Sequence, residues 1–212
     1  MRKNKKEEHK WLKKEERKER ILRTAIELFS KKGVAYTTMK DIAEEEGVSE
    51  ALVYKYFRNK TEIFETIIKT GIELSNKMWT QFGEKIDELS ENPYETLYKV
   101  SLEFWNFALK FRKILLILYK EFHNPELRPI FEELAQSTIA LEKLTEFFRI
   151  CQEKGKIRQD VRAKTLAFLF ISSSRPVLGA TGYLEKGFKI ENNEIEENIR
   201  EILTILFEGI KK

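Results

Sequence analysis

Three features of the 212 residues predict an all-α fold. Turn formers are scarce: 9 Gly and 4 Pro are too few for the many tight turns of a sheet protein this long. The acids are almost all Glu. Of 35 acidic residues only Asp41, Asp87 and Asp160 are Asp, and Glu suits helix interiors where Asp suits turns. Apolar residues recur at helical spacing. With 42% hydrophobic and 35% charged residues, the composition is that of a folded chain with a substantial core.

From Lys10 to Lys32, Ile21, Ala25, Leu28 and Phe29 share one helical face, with Leu22 and Ile26 beside them, and Gly33 stops the helix. Thr38-Met39-Lys40-Asp41 reads as a capping box opening a short helix that ends at Gly47. Ser49 caps a third helix reaching about Phe57, and Asn59 with Glu62 caps a fourth, residues 60 to about 85. Asn92-Pro93-Tyr94-Glu95 is a strong start signal, and Asn124-Pro125-Glu126 repeats its cap and proline. Asp160 is expected to cap a helix over Ala163–Leu178. Asn192 or Asn193 is expected to cap the last, striped by Ile195, Ile199, Ile202, Leu206 and Ile210. The expected division is residues 1–60 and 61–212.

The net charge of +4 is uneven. Residues 1–60 carry +6, mostly within Met1–Arg20, and residues 61–212 carry −2. A basic head on a near-neutral body points to a polyanion, nucleic acid or membrane surface, or else to a solvated tail. The motif that follows favours nucleic acid. Ile42-Ala43, three Glu, then Gly47-Val48-Ser49 has helix-turn-helix spacing: Ala43 is small where the helices cross and Gly47 aims the second helix across the first. On a wheel of 100° per residue, Val53 and Phe57 face inward, while Ala51 and Lys55 point away with Leu52 close by. Tyr54 and Tyr56 flank the two sides.

Arg20-Ile-Leu-Arg-Thr-Ala-Ile-Glu-Leu-Phe29, Gly33, Thr37-Thr38-Met-Lys-Asp41-Ile-Ala43, Gly47-Val-Ser49 and Tyr54-Lys-Tyr-Phe57-Arg-Asn-Lys60 resemble the TetR family of transcriptional regulators over about 45 residues. The resemblance implies an N-terminal three-helix helix-turn-helix domain joined to a C-terminal helical ligand-binding and dimerisation domain. It also implies repression of a palindromic operator by a homodimer, relieved by a small-molecule effector. It assigns Thr38, Tyr54 and Lys60 to backbone phosphates and Ser49, Glu50, Ala51, Leu52 and Lys55 to base edges, with Tyr56 beside them. Basic residues of Met1–Lys18 are expected to reach a minor groove or the backbone. Two departures stand out. Glu46 replaces a usual small apolar residue, which is expected to loosen local packing, and Leu52 replaces a small polar one.

In residues 61–212 the helix from Pro93 is apolar on two sides: Tyr94, Leu97, Tyr98, Ser101, Trp105 and Ala108 on one, Val100, Phe104, Phe107 and Phe111 on the other. Candidate effector contacts are Tyr98, Ser101, Trp105, Phe122, His123, Phe131, Phe148, Phe170 and Arg175. Arg175 is open to three roles: binding an acidic ligand, pairing with a Glu, or reaching solvent. Asn124-Pro-Glu-Leu-Arg128 with Phe131 is similar to a stretch in TetR-type regulators of fatty-acid metabolism, so the expected effector is largely apolar, a hydrophobic drug or an acyl-CoA.

Other classes recede. One cysteine, Cys151, and two histidines, His9 and His123, give neither a disulfide framework nor a metal site, and no cofactor is expected. No catalytic constellation is present, so an enzyme is not expected. No apolar run approaches a membrane span, and the basic N-terminus lacks the apolar stretch of a signal peptide. The expected location is cytoplasmic, without membrane contact. A membrane-surface or coiled-coil adaptor using the basic N-terminus, to which Trp11-Leu12 gives some amphipathic character, is the remaining rival, and it has no use for an outward Ala51/Lys55 face.

Overall fold

The computed structural model describes residues 2–173 and 192–210 as helices and the turns between them, with no strand among the described residues. The helices are α1 Arg2–Lys32, α2 Met39–Glu46, α3 Glu50–Tyr56, α4 Lys60–Glu84, α5 Ile86–Leu89, α6 Pro93–Lys110 and α7 Arg112–Glu121. A 3-10 turn at Pro125–Leu127 leads into α8 Arg128–Ser137, followed by α9 Ala140–Glu153, α10 Ala163–Ser173 and α11 Asn192–Ile210. Helix α1 begins well before the expected Lys10. Residues 174–178, expected to finish α10, lie outside the described residues, as does Arg175.

Local chemistry sets most boundaries. Gly33 ends α1 at φ +85°, its N–H donating to the Phe29 carbonyl at 2.8 Å. The capping box is complete: the Thr38 hydroxyl accepts from Asp41 N–H at 3.0 Å, and the Asp41 carboxylate accepts from Thr38 N–H at 2.7 Å. Gly47 ends α2 at φ +71°. The carboxamides of Asn59 and Asn92 accept from Glu62 N–H and Glu95 N–H to start α4 and α6. Asn124 caps as expected, but what it opens is the 3-10 turn. Asp160 does not cap α10: its carboxylate is held by the Arg158 guanidinium, and the Arg162 carbonyl accepts the first helical bonds instead.

The chain forms two compact units, residues 1–71 with 113–134 and residues 72–112 with 135–212. In the first, Ile21, Ala25, Phe29, Ile42, Val53, Phe57, Ile63 and Phe64 are buried. Helix α7 is tied to the turn after α1 by directional bonds. The buried Glu121 carboxylate accepts from Val34 N–H at 2.7 Å and from the Asn124 amide at 2.7 Å, Lys120 Nζ donates to the Ser30 carbonyl, and Lys113 pairs with Glu27. A Cβ on Gly33 would sit 3.0 Å from Glu121 Oε1, so the turn needs glycine for space as well as for its φ.

The second unit is held by rings. Phe82 packs on Phe147, Phe147 on Phe148 and Phe148 on Phe170, with centroids 5.5, 5.6 and 6.5 Å apart, around Leu97, Leu144, Cys151 and Leu166. Burial pushes the Cys151 thiol up to about 12, which leaves it protonated and inert. The stripe of α11 is shifted from expectation. Among its described side chains Ile195, Ile199, Leu203 and Phe207 are buried and Ile202 and Leu206 only half-buried, and that of Ile210 lies outside the described ones. No helix among the described residues is long and apolar enough to cross a membrane.

Candidate nucleic-acid interface

Helices α2 and α3 with their turns place the predicted residues. Val53 and Phe57 are 0% and 2% exposed, so α3 is anchored on the face expected to be inward. Ala51, Lys55, Glu50 and Ser49 are exposed, Tyr54 is 51% exposed, and Leu52 and Tyr56 are half-buried at the flanks. A seven-residue helix with Ala51 on its outward face in the first turn lets backbone approach a groove closely, and Lys55 one turn on supplies a donor there.

The hydroxyls of Ser49 and Thr38 already work as caps, Ser49 accepting from Leu52 N–H at 3.3 Å. A capping hydroxyl accepts through its oxygen and keeps its own proton, so each remains able to donate to a phosphate. The Thr37-Thr38 pair divides its labour. Thr37 is wholly buried and its hydroxyl donates to the Gly33 carbonyl at 2.7 Å, fixing the turn, while Thr38 faces solvent at the start of α2. Lys60 is half-buried, and its Nζ donates to the Ala35 carbonyl at 2.7 Å. That bond holds the ammonium beside the turn that presents Thr38. Tyr36, 80% exposed in the same turn, went unnoticed in the sequence because an aromatic there carries no spacing signal.

Glu46 corrects an expectation. Its side chain is 7% exposed, with Arg20 at 2.7 Å, Arg17 at 3.7 Å and the Thr24 hydroxyl donating at 2.9 Å. It ties α2 to α1 rather than loosening the contact: the Thr24 hydroxyl bonds Oε2, while the two guanidinium groups offset the charge at Oε1, which is buried without a hydrogen bond. Lys18 Nζ lies 5.8 Å from the Phe57 ring centroid, adding a contact between α1 and the end of α3.

The proposed effector residues fall in both units. Phe122, His123 and Phe131 belong to the first, where Phe122 packs edge-on against both others and is 64% exposed. Tyr98, Ser101, Trp105, Phe148 and Phe170 belong to the second. Phe148 and Phe170 are wholly committed to the core, and the Tyr98 hydroxyl donates to Glu196 at 3.0 Å beneath the Arg200 guanidinium. The buried Trp105 Nε1 has no hydrogen-bond partner among the described residues. A cavity in the second unit, lined mainly by Met78, Trp79, Phe82, Val100, Phe104 and Phe107 with Ser75 and Glu103 among them, holds about 30 Å³, a water's worth of room. No group of three or more His, Cys, Asp or Glu among the described residues is placed to hold a metal.

Residues 21–67, the segment just described, match the family of bacterial regulatory proteins called tetR. A relative with 25% identity over 186 residues, covering 82% of this chain and 83% of its own length, is the uncharacterized HTH-type transcriptional regulator YfiR of Bacillus subtilis. Two solved structures share the fold. NalD, the secondary repressor of the MexAB-OprM multidrug efflux pump in Pseudomonas aeruginosa, has a TM-score of 0.64 at 23% identity, covering 94% of this chain and 98% of its own. FadR of Bacillus subtilis in complex with stearoyl-CoA has a TM-score of 0.63 at 19% identity, covering 90% and 98%.

Proposed function

We propose that the chain is a transcriptional regulator of the TetR type, an effector-released repressor that binds a palindromic operator as a homodimer; the match of residues 21–67 to the tetR family of bacterial regulatory proteins and the likeness to YfiR over 82% of the chain support this reading. The observation that carries this is the α3 face: Ala51 and Lys55 stand exposed over a wholly buried Val53 and Phe57. Ser49, Glu50, Ala51, Leu52 and Lys55 meet base edges. Thr38, Tyr54, Tyr56 and Lys60 hold phosphates and set register. Two such helices related by a two-fold axis read half-sites one or more helical turns apart.

The dimer forms through α10 and α11, which expose Phe168, Leu169 and Ile205. Apolar side chains of that size gain from burial against a second copy. The effector is a largely apolar small molecule, a hydrophobic drug or an acyl-CoA, in line with the stearoyl-CoA held by the structurally similar FadR. A cavity of about 30 Å³ admits neither, so binding has to part the aromatic lining of α4 and α6. Helix α4 runs unbroken from the head into that lining, and its displacement alters the spacing of the recognition helices. The regulator works in the cytoplasm, where its DNA is.

The test is a binding series on the palindrome upstream of its own gene. Lys60→Ala weakens binding to all sequences alike and flattens the salt dependence, and Lys55→Ala also relaxes base preference. Identical effects from the two would overturn the assignment. Thermal-shift screening against acyl-CoAs and hydrophobic drugs tests the effector: a ligand that stabilises the protein yet leaves operator binding unchanged is not one.

A further inference from the structure

Within the second unit, α4 and α6 present the same pattern to one cavity. Ser75, Met78, Trp79 and Phe82 on α4 follow i, i+3, i+4, i+7 spacing, and so do Val100, Glu103, Phe104 and Phe107 on α6. Each stripe is apolar but for one residue, Ser75 in the first and Glu103 in the second. Trp79, Phe82 and Val100 pack against the core cluster, whereas Met78, Phe104 and Phe107 are half-buried without belonging to it. Apolar side chains of that size, left half-exposed along a cavity, offer a ligand burial that the core does not claim.

The charge of the lining decides the kind of ligand. Glu103 is exposed and makes no ion pair among the described residues; Lys99, one turn before it, pairs with Glu95 at 3.4 Å instead. No Lys, Arg or His is among the described lining residues. Trp79, Phe82, Phe104 and Phe107 bring four rings, whose faces carry negative potential, and Met78 adds a polarizable thioether. A carboxylate, rings and a thioether with no opposing cation attract positive charge and apolar bulk together. We propose that this cavity takes a lipophilic cation, an onium or amine group carried on aromatic or alkyl substituents, with Glu103 as its counter-charge; this rests on the effector reading above and narrows it. An acyl-CoA fits less well, because its phosphates would meet the Glu103 carboxylate and no cation in the lining. The room of about 30 Å³ has to widen for any such ligand. Phe104 and Phe107, outside the core cluster, are placed to swing aside at little cost in core packing.

The test compares two ions of matched size and shape, tetraphenylphosphonium and tetraphenylborate, by calorimetric titration of the full chain. Its net charge of +4 favours the borate, so a preference for the phosphonium marks the local lining. The phosphonium is expected to bind about tenfold tighter or more. Glu103→Gln is expected to narrow that gap by about threefold to fivefold, the scale of a solvent-facing charge pair. Phe104→Leu keeps apolar bulk but removes a ring, and should weaken the phosphonium by about threefold or more with a smaller loss for the borate. Glu73→Gln removes an exposed acid that does not line the cavity and leaves both affinities at wild type. Circular dichroism checks that each variant keeps its helix content. Borate binding as tight as the phosphonium overturns the proposal, and so does a chain that binds neither ion. An effect of Glu73→Gln equal to that of Glu103→Gln also overturns it, since net charge alone would then explain the preference. Stearoyl-CoA that binds and releases operator, where the phosphonium does not bind, overturns the cation while the effector-released repressor stands. Phosphonium binding that depends on Glu103 and Phe104 yet leaves operator affinity unchanged supports the site and instead removes the reading of its ligand as the releasing effector.

Discussion

The two compact units of this chain differ in the balance of polar bonds and aromatic packing that holds them. In the first, the bonds that fix α1, α2 and α7 are directional and charged: Glu46 to Arg17, Arg20 and Thr24, Glu121 to Val34 N–H, Lys60 to the Ala35 carbonyl. In the second, tilted and edge-on rings around Phe147 and Phe148 fill the core, beside directional bonds from Lys154 to Asp87 and Glu91 and from Gln152 to the Arg158 and Val161 carbonyls. Directional bonds tolerate little change of angle and hold the exposed Ala51 and Lys55 in one register. Ring packing is less directional, and a rearranged set of aromatics loses less than a broken charged bond. Those two balances favour a rigid first unit and a more deformable second one.

The comparison breaks hardest at Phe147, which is wholly buried between Phe82 and Phe148. Phe147→Ala is expected to cost about 4 kcal/mol through lost burial and the cavity left behind. Amide exchange should quicken in α9 and α10 while the Val34 amide stays protected. A Val34 amide that loosens equally would mean that the two units do not differ in what holds them.

Glu121→Leu is the complementary test. It removes the acceptor of a buried backbone N–H, and the expected loss is about 2–3 kcal/mol, most of it the penalty for leaving Val34 N–H unpaired. Here Val34 should exchange fast and the ring cluster should not. Protected Val34 in this variant would show that the bond contributes little to fixing the turn.

What the sequence disclosed follows the reach of each interaction. Caps were legible because Thr38, Ser49, Asn59 and Asn92 bond amides three residues on. The inward Val53 and Phe57 were legible because one helical period places both. Asp160 misled because a nearer cation, Arg158, competes for the carboxylate that would otherwise cap. Glu46 misled for the opposite reason, since its donors sit 22 to 29 residues back on another helix. The bond from Glu121 to Val34 spans 87 residues and leaves no local pattern, so nothing in the sequence linked residues 113–134 to the head. The aromatics of the body were seen as a group, but spacing alone does not separate a ring that fills a core, such as Phe148, from one left 64% exposed, such as Phe122.

The smallest effect sharpens the comparison at a solvent-facing charged bond. Asp41 takes a hydrogen bond from the Lys32 ammonium at 2.8 Å and others from Thr38, and these hold its carboxyl at about 2 against an ordinary 3.8. A carboxyl whose pKa is lower in the folded chain than in the unfolded one stabilises the fold in its charged form. The contribution is therefore complete above pH 3.8 and fades as pH falls through about 2. Because the group is exposed, the effect is small and weakens with salt. Asp41→Asn keeps an acceptor for Thr38 N–H but gives up the charge on Lys32. The gap between wild type and variant in urea midpoint should thus stay constant from neutral pH to 3.8 and close near 2. A carboxyl titration followed by NMR with its midpoint near 3.8 would mean that Lys32 does not hold Asp41 in solution, and that the start of α2 relies on the Thr38 hydroxyl alone.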